Sequence, residues 1–327
     1  MNLQILVPQY KETEEVIKPL LDSIALQQNV DFNNVGVIIC NDGSDVILSD
    51  DFLNSYPYKI DYYMEEHRGV SATRNACLDH ATADYVMFCD ADDMFYNVCG
   101  LWIIFREMTI GFDSLISMFI EETRTPDRSQ IVYINREQDT TFVHGKIIRR
   151  GYLIEQNIRW NDNLTIHEDS YFNILVQNLS KNVKYCPTPF YMWRWRDDSV
   201  CRHDAKYMLK TYRNMLDSND ALIDEFLKRG IQDKAVFYTG FMVFDAYYTM
   251  NKPEWINQEN KEYRDFTEHR FATWFKKHED MWKMISPQDK MQISNGVRSR
   301  MVSEGMMMEA ITIDNWLRKM KKMIKAK

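Results

Sequence analysis

The sequence lacks long apolar runs, and none of its stretches approaches the roughly 18 residues of a membrane-spanning helix. It also begins without a basic segment followed by an apolar one, so a secretory leader is not expected. Its six cysteines include no C-x-x-C pair, and most of them lie inside apolar runs. They are typical of reduced core residues, which argues against a disulfide or zinc framework. These absences predict a soluble, cytoplasmic protein.

The C-terminal part of the chain lacks the excess of acidic residues that the rest of the chain has. Residues 201–327 contain 23 Lys and Arg and 18 Asp and Glu, a balance of +5, whereas residues 1–200 have a balance of −13. The last ten residues, RKMKKMIKAK, contain six cations. Such a cluster suits the end of a solvated helix, where the helix dipole favours cations. It equally suits a surface for an anionic partner such as nucleic acid, a polyanionic glycan or lipid headgroups.

Strand and helix patterns alternate over the first 100 residues. The runs Leu3–Val7, Val35–Cys40 and Lys59–Tyr63 predict three strands, and DYVMF at 84–88 predicts a fourth. Between them, VIKPLLDSIALQQ and GVSATRNACLDHA have the spacing of helices. This alternation predicts an α/β fold built from βαβ units, with a mostly parallel sheet and helices on both of its faces.

The pattern changes after about residue 113. The shorter runs DSLISMFIEE, QIVYIN and DTTFVHG predict additional, partly antiparallel strands, and HEDSYFNILVQNLS predicts a helix. VKYCPTPFYMWRW predicts two short strands around Pro187 and Pro189. Helical patterns dominate beyond Asp204. We therefore predict an α/β domain at residues 1–204 and a helical module at residues 205–327.

Three aspartates, Asp90, Asp92 and Asp93, directly follow the fourth predicted strand. Like charges this close repel each other, so they form either a solvated turn or a site for a cation. Carboxylates are preferred ligands of Mg²⁺ and Mn²⁺. The segments VPQY, NDGSD and DADD all come directly after predicted strands. Because ligands bind outside the carboxyl ends of such strands, we expect the three segments to converge on one edge of the sheet.

Four motifs occur together in the order VPQYKE, CNDGSD, GVSATRNACLDHATADYVMFCDADD and LTIHEDSYFN. In this order and spacing they resemble the family 2 glycosyltransferases, over about residues 1–203. The resemblance implies the GT-A fold, a nucleotide-sugar donor with UDP favoured, and Mn²⁺ or Mg²⁺ as the cofactor. The QxxRW signature of cellulose-synthase-like enzymes is absent, which argues against a processive, membrane-embedded synthase.

The resemblance assigns one group of residues to the nucleotide sugar. Its members are Pro8, Tyr10, Glu12, Asp42, Arg68, Arg74, Asn75, Asp90 and Ala91. Tyr10 would stack on the base, and Asp42 would accept a hydrogen bond from it. Gly43 would keep the loop around Asp42 tight and close to the ligand. Arg74 and Asn75 would contact the nucleotide or steady the acidic loop.

The resemblance also assigns the metal and the general base. Asp92 would bind the metal, and Asp93 would support it or add a ligand. His203 would complete the metal site or contact the diphosphate. Asp169 would take the proton of the acceptor hydroxyl. The neighbouring Glu168 would raise the proton affinity of Asp169 through like-charge repulsion. Without the other motifs, Glu168 and Asp169 would be ordinary charges at the start of a helix.

Trp193 and Trp195 offer flat apolar faces for an acceptor, although the alternation in WRWR equally fits a strand with one packed tryptophan. The expected function is inverting transfer of a sugar to a hydroxyl of a glycan or an anionic polymer, with the helical module binding the acceptor or forming oligomers. Modified DNA bases are an alternative acceptor and would have to be flipped out of the duplex. A non-catalytic nucleotide- or glycan-binding module is a second alternative. A sugar nucleotidyltransferase usually has a Gly-rich loop after the first strand, and VPQYKETEE contains no glycine.

Overall fold

The computed structural model of the chain describes residues 1–125, 127–197, 207–257, 259–301 and 313–325. The chain divides into two compact units, residues 1–200 and residues 201–327. The division predicted between residues 204 and 205 lies close to this boundary.

The described strands of the first unit form one mixed sheet. They are β1 (Leu3–Gln9), β2 (Val35–Asp42), β3 (Lys59–Glu65), β4 (Tyr85–Phe88), β5 (Met94–Phe95), β6 (Ser114–Arg124), β7 (Ile131–Arg136), β8 (Lys146–Arg149) and β9 (Val183–Trp193). Their order is β3-β2-β1-β4-β8-β6-β9-β5, and β7 pairs with β6. The first four strands run parallel, whereas β8 is antiparallel to β4 and to β6. The predicted parallel sheet with partly antiparallel additions is confirmed.

Helices cover both faces of this sheet. They are α1 (Glu14–Ala25), α2 (Asp50–Leu53), α3 (Val70–His80), α4 (Gly100–Ile110), α5 (Arg150–Glu155) and α6 (Glu168–Leu179). On one face, Ile5 and Val7 of β1 share a buried apolar cluster with Leu20 of α1. On the other face, Phe88 of β4 packs against Phe172 of α6, with ring centroids 5.7 Å apart.

Two of the predicted strand segments are different in the structure. The segment around Pro187 and Pro189 belongs to one strand, β9. Two stretches of β9 pair with β6, and residues 187–190 between them form a bulge that does not pair with β6. Proline has no N–H to donate, so the bulge accommodates both prolines without the loss of a ladder hydrogen bond. Residues 139–145, predicted as a strand from DTTFVHG, are an irregular loop. Polar side chains of α6 and of Asp139 bind the backbone of this loop, which removes the need for a partner strand.

The described part of the second unit is helical, as predicted. Its helices are α7 (Tyr207–Lys228), α8 (Gln232–Met250), α9 (Pro253–Ile256), α10 (Lys261–Met284), α11 (Pro287–Met301) and α12 (Ile313–Lys325). The buried face of α12 carries Trp316, Leu317 and Met320, and Trp316 packs on Phe271 of α10. Among the described helices of the chain, none combines the length and the apolar character that a membrane crossing requires.

Candidate active site

The loops after β1 and β2 contact each other at the carboxyl edge of the sheet. The backbone N–H of Lys11 donates to Oγ of Ser44 at 3.1 Å, and the side chain of Gln9 donates to the carbonyl of Val46 at 3.1 Å. Gly43 has φ 68°, and a Cβ there would lie 2.6 Å from the backbone nitrogen of His67. Only glycine fits this turn, so the tight loop expected at Gly43 is present.

Tyr10 and Asp42 both contact His67. Tyr10 is 41% exposed, and its ring stacks on His67 with centroids 4.6 Å apart. The carboxylate of Asp42 accepts hydrogen bonds from the backbone N–H groups of Arg68 and Gly69, at 2.8 and 3.0 Å. Asp42 therefore orders the start of α3, while its contact with a nucleobase stays a prediction. Pro8 lies half-buried at the end of β1, where it pairs with Cys40 of β2.

Arg68 and Asn75 both bind Asp162. The guanidinium of Arg68 donates to Asp162 at 2.7 Å, and the amide of Asn75 donates to Asp162 at 2.7 Å and to the carbonyl of Trp160 at 2.9 Å. Asn75 also accepts a hydrogen bond from the N–H of Trp160. Asn75 thus holds the segment at 160–162 in place, and its contact with a nucleotide stays a prediction.

Arg74 joins two acidic segments that lie far apart in the sequence. One nitrogen of its guanidinium, Nη2, donates to Asp90 at 2.9 Å, and the other, Nη1, donates to Asp169 at 2.8 Å and to Glu168 at 3.1 Å. Arg74 is 3% exposed, and its guanidinium lies 4.5 Å above the ring of Trp160. Burial opposes the charge, but the three carboxylates hold the pKa of Arg74 above its usual range. The aspartates after β4 and the acids at the start of α6 therefore belong to one site.

The three aspartates after β4 have different surroundings. Asp93 is fully buried and accepts hydrogen bonds from the hydroxyl of Tyr191 and from the backbone N–H of Arg194. Ala91, between Asp90 and Asp92, is also buried. The side chain of Asp92 is 33% exposed and pairs with Arg196 at 3.2 Å. Asp93 therefore holds the loop in shape, and Asp92 faces the open side of the loop.

The donor set around Asp92 fits a hard divalent cation. Burial raises the pKa of Asp92, and the nearby charge of Asp90 raises it further. Burial also raises the pKa of Glu12, and the charge of Asp92 adds to that effect. The charge of Asp92 thus interacts with those of Asp90 and Glu12, with Arg196 as a partial counter-charge. Carboxylate oxygens of this kind suit Mg²⁺ or Mn²⁺. His203, the other predicted ligand, lies outside the described residues.

Among the described residues, two groups of side chains bring possible ligand atoms within 4.8 Å of one another, and Asp92 belongs to neither of them. They are Asp90, Asp93 and His144, and Cys40, Glu65 and His80. In the first group Asp93 already binds Tyr191, and burial lowers the pKa of His144 to about 3. In the second, Nε2 of His80 lies 3.1 Å from Oε1 of Glu65, and its ring stacks on Tyr63. The side chain of Asp92 is more open than those of Asp93 and His144, and its role as a metal ligand stays a prediction.

Glu168 and Asp169 form the first turn of α6. His167 precedes them with φ 64°, in the left-handed backbone region that residues other than glycine rarely adopt. Asp169 accepts from Arg74 with one oxygen and from the N–H of Val143, at 3.2 Å, with the other. Burial raises the pKa of Asp169, and Asp90 adds to the effect. Burial and then the charge of Asp169 raise the pKa of Glu168 to about 7.

Trp193 is part of an aromatic cluster. Its ring lies 5.0 Å from Phe142 and 5.0 Å from His144. Trp195 is half-buried, and its indole N–H donates to Asp197 at 2.9 Å. The geometry favours the packing interpretation for Trp193, and Trp195 stays the candidate acceptor platform.

Arg196 and Trp160 were not among the residues predicted for the site. The alternation in WRWR also fits a strand that includes Arg196, whereas β9 ends at Trp193 and Arg196 pairs with Asp92. A pair of arginines just after the last long strand is the signal that could have identified this cation. Trp160 lies in a segment without a motif, and only the fold brings it against Arg74.

Substituting Glu168 should change how stability depends on pH. A carboxyl whose pKa is raised from 4.5 to about 7 destabilises the folded protein once it is charged, so the destabilisation develops between pH 4.5 and pH 7. We expect Glu168→Gln to be more stable than the wild type at pH 8, by about 1–3 kcal/mol, with the gain smallest at pH 4.5. Urea unfolding from pH 4.5 to pH 8 measures this difference. A difference that stays constant across this range would contradict the raised pKa.

Comparisons with known proteins bear on this site. The family model for glycosyl transferase family 2 matches residues 4–98. The minor teichoic acid biosynthesis protein GgaB of Bacillus subtilis (strain 168) is 27% identical over 216 residues, which are 60% of this chain and 23% of GgaB. The teichoic acid poly(glycerol phosphate) polymerase of Staphylococcus epidermidis is 29% identical over 208 residues, which are 58% of this chain and 28% of the polymerase. The chain thus spans about a quarter of the length of these two curated relatives.

The fold has solved counterparts as well. Two crystal structures of S. aureus TarS 1-349, one of them in complex with UDP-GlcNAc, superpose on the chain with a TM-score of 0.66 at 15% identity. Each superposition covers 100% of this chain and 92% of the TarS chain. The predicted GT-A fold with a following helical module is confirmed, and so is the predicted resemblance to family 2 glycosyltransferases.

Proposed function

We propose that this family 2 glycosyltransferase moves a sugar from a UDP-sugar to a hydroxyl group of an anionic polymer, with inversion at the anomeric carbon. The contact of Arg74 with both Asp90 and Asp169 is the observation that carries the proposal. A direct displacement requires a base on one side of the anomeric carbon and a stabilised leaving group on the other. One guanidinium that binds both acidic segments keeps these two functions next to each other.

Asp169 is the proposed base. It takes the proton from the acceptor hydroxyl while the acceptor oxygen forms its bond to the anomeric carbon and the bond from that carbon to the diphosphate oxygen breaks. Arg74 and the N–H of Val143 bind different oxygens of the carboxylate, which fixes its orientation. The raised pKa of Asp169 makes it a stronger base than an exposed aspartate.

The donor lies, in this proposal, along the loops that follow β1, β2 and β4. The exposed ring of Tyr10 offers a stacking surface for the base, and Asp92, with Glu12 and Asp90 beside it, would hold Mn²⁺ or Mg²⁺. A divalent ion at Asp92 would neutralise the charge that develops on the departing diphosphate. Arg196 provides a further cation next to Asp92.

The proposed acceptor is a polymer of the teichoic acid type, a chain of polyols linked by phosphates. The names of two curated relatives associate them with teichoic acid, and the second unit of this chain has a positive balance of charge. UDP is the proposed nucleotide because a TarS structure contains UDP-GlcNAc. A cytoplasmic location, predicted from the sequence, is part of the same proposal.

A screen of donors and acceptors tests this function. The purified full chain would be incubated with UDP-, GDP- and dTDP-sugars and Mn²⁺ or Mg²⁺, alone and with a polyol phosphate polymer, a neutral glucan or duplex DNA. We expect release of UDP that the polyol phosphate polymer accelerates, and a product of inverted anomeric configuration by NMR. Acceleration by DNA alone would assign the acceptor to nucleic acid. The proposed function would be overturned if the protein neither bound nor turned over any of these nucleotide sugars.

The exposed cations of α12 should strengthen binding of the polymer. Arg318, Lys319 and Lys322 are exposed, while Trp316, Leu317 and Met320 of the same helix are buried. Replacing all three with Gln should weaken binding of the polyol phosphate polymer and lower the slope of log K against log salt by about 2–3, because each cation at a polyanion releases counterions. Binding titrations from about 50 to 300 mM salt measure both the affinity for the polymer and its salt slope, because such effects are large over this range.

A variant with the same change of net charge is the control. Lys228, Lys261 and Lys283 are exposed in the same unit, each within four residues of an acidic partner. Replacing these three with Gln should alter the salt dependence much less. Equal effects of the two triple variants would show that only net charge matters, and an unchanged salt slope for the α12 variant would exclude α12 as the binding surface.

A further inference from the structure

The loop at residues 137–145 lies along one face of α6. Three side chains spaced four residues apart on that helix bind the loop: Asp169, Asn173 and Gln177. They contact the N–H of Val143 at 3.2 Å, the carbonyl of Thr141 at 2.8 Å and the carbonyl of Thr140 at 3.3 Å, respectively. Residues four apart lie on the same face of a helix, so the candidate base belongs to a stripe that binds the loop at three successive points.

Lys146 binds the same loop from the other end. It is the first residue of β8 and is 2% exposed, and its ammonium group donates to the carbonyl of Phe142. Gly145 makes this return of the chain possible, because it has φ 65° and a Cβ there would lie 2.5 Å from Oγ of Ser117. The carbonyl of Phe142 and the N–H of Val143 belong to one peptide group. That peptide therefore has the Lys146 ammonium at its oxygen and the Asp169 carboxylate at its N–H.

We propose that Lys146 is a positioning residue for Asp169 that acts through the Phe142–Val143 peptide. This inference rests on the proposed function, in which Asp169 is the base. A cation at the carbonyl oxygen polarises the peptide and makes its N–H a stronger donor to the carboxylate. Together with Arg74 on the other oxygen, this donor holds the carboxylate of Asp169 in one orientation.

The burial of a cation at this position supports the proposal. A buried ammonium group is costly, and an apolar side chain of similar volume would fill the same space at a lower cost. Burial lowers the pKa of Lys146 to about 8, while Asp139 and Asp169 favour its charged form. Lys146 therefore remains mostly protonated at neutral pH. The ammonium group of Lys146 donates to the carbonyl of Phe142, and the N–H of Phe142 is bound by Asp139 at 2.9 Å.

The test compares Lys146→Met, which has no donor, with Lys146→Gln, which keeps a neutral donor. We expect Lys146→Met to lower kcat about tenfold, the effect of losing a charge-assisted hydrogen bond of ordinary strength, and to leave KM for the donor unchanged. The kcat of Lys146→Gln should lie between those of the wild type and Lys146→Met. In the Asp169→Asn background Lys146→Met should have no further effect on kcat, because asparagine takes no proton and no base is then left to be oriented. Lys184→Met, which removes a partly exposed lysine of β9 that pairs with Glu107, is the matched control.

The amide proton of Val143 gives a readout that does not depend on activity. In ¹⁵N-valine-labelled protein, Lys146→Met should move this resonance upfield, because the hydrogen bond to Asp169 becomes weaker, and Lys184→Met should leave it in place. If Lys146→Met does not fold, Lys146→Gln provides the same comparisons. An unmoved Val143 resonance, or an equal loss of kcat in the wild-type and Asp169→Asn backgrounds, would overturn the role of Lys146. Failure of the proposed function is a separate result, recognised by a wild-type protein that turns over no nucleotide sugar.

Discussion

Asp169→Asn should lower kcat for sugar transfer about 10²–10⁴-fold, the usual size of a general-base contribution. Asparagine has the shape of aspartate and can accept the hydrogen bond of Arg74 or of Val143, but it cannot take a proton. Affinity for the nucleotide sugar should change by no more than about twofold, since the proposed base faces the acceptor and not the donor. Initial rates at saturating donor, with calorimetric titration of the UDP-sugar, separate the two effects.

Glu168→Gln is the matched control for this substitution. Glu168 lies beside Asp169 and binds the same nitrogen of Arg74, at 3.1 Å. A much smaller loss of kcat in Glu168→Gln would assign proton transfer to Asp169. If the large loss occurs in Glu168→Gln while Asp169→Asn mainly loses donor binding, Glu168 is the base and its pKa of about 7 is the functional one.

Local patterns were sufficient to predict the sheet and the position of the loops. The apolar runs of β1, β2 and β4 have the lengths of buried strands, and helices between them require a parallel arrangement. In a parallel arrangement the segments after these strands must come to the same edge. The convergence of the Tyr10, Asp42 and Asp92 loops could therefore be expected before any contact was known.

Contacts between distant side chains could not be predicted in the same way. From the sequence, Arg74 could contact the nucleotide or steady the acidic loop. Its hydrogen bonds with Asp90 and Asp169 follow only from the fold, which brings the acids after β4 and at the start of α6 within reach of one side chain of α3. The segment at 139–145 reads as a strand because Thr, Phe and Val favour strands. The side chains of Asn173 and Asp169 bind its backbone, and this tertiary interaction overrides the local preference.

Asp92→Ala should abolish transfer, with kcat lowered at least about 10³-fold, because charge on the leaving diphosphate would no longer be stabilised by a divalent ion. EDTA should have the same effect on the wild type, and Mn²⁺ or Mg²⁺ should restore its activity. The variant should remain folded: Asp92 lies on a turn, and its raised pKa shows that its negative charge is not favoured in the folded protein. Rates with and without EDTA, together with binding of Mn²⁺ in the presence of UDP, measure the loss.

Asp79→Ala is the control, because it also removes an aspartate that pairs with an arginine, here Arg159, at a position away from the acidic cluster. It should retain binding of Mn²⁺ and most of the activity. Full turnover of the wild type in EDTA would exclude a metal requirement, and Arg196 would then be the cation to test, since it already lies 3.2 Å from Asp92. Binding of Mn²⁺ by Asp92→Ala at wild-type affinity would instead move the metal to Asp90, Asp93 and His144, whose ligand atoms lie within 4.8 Å of one another. The two outcomes differ because the first removes the ion from the reaction, whereas the second changes only the side chains that hold it.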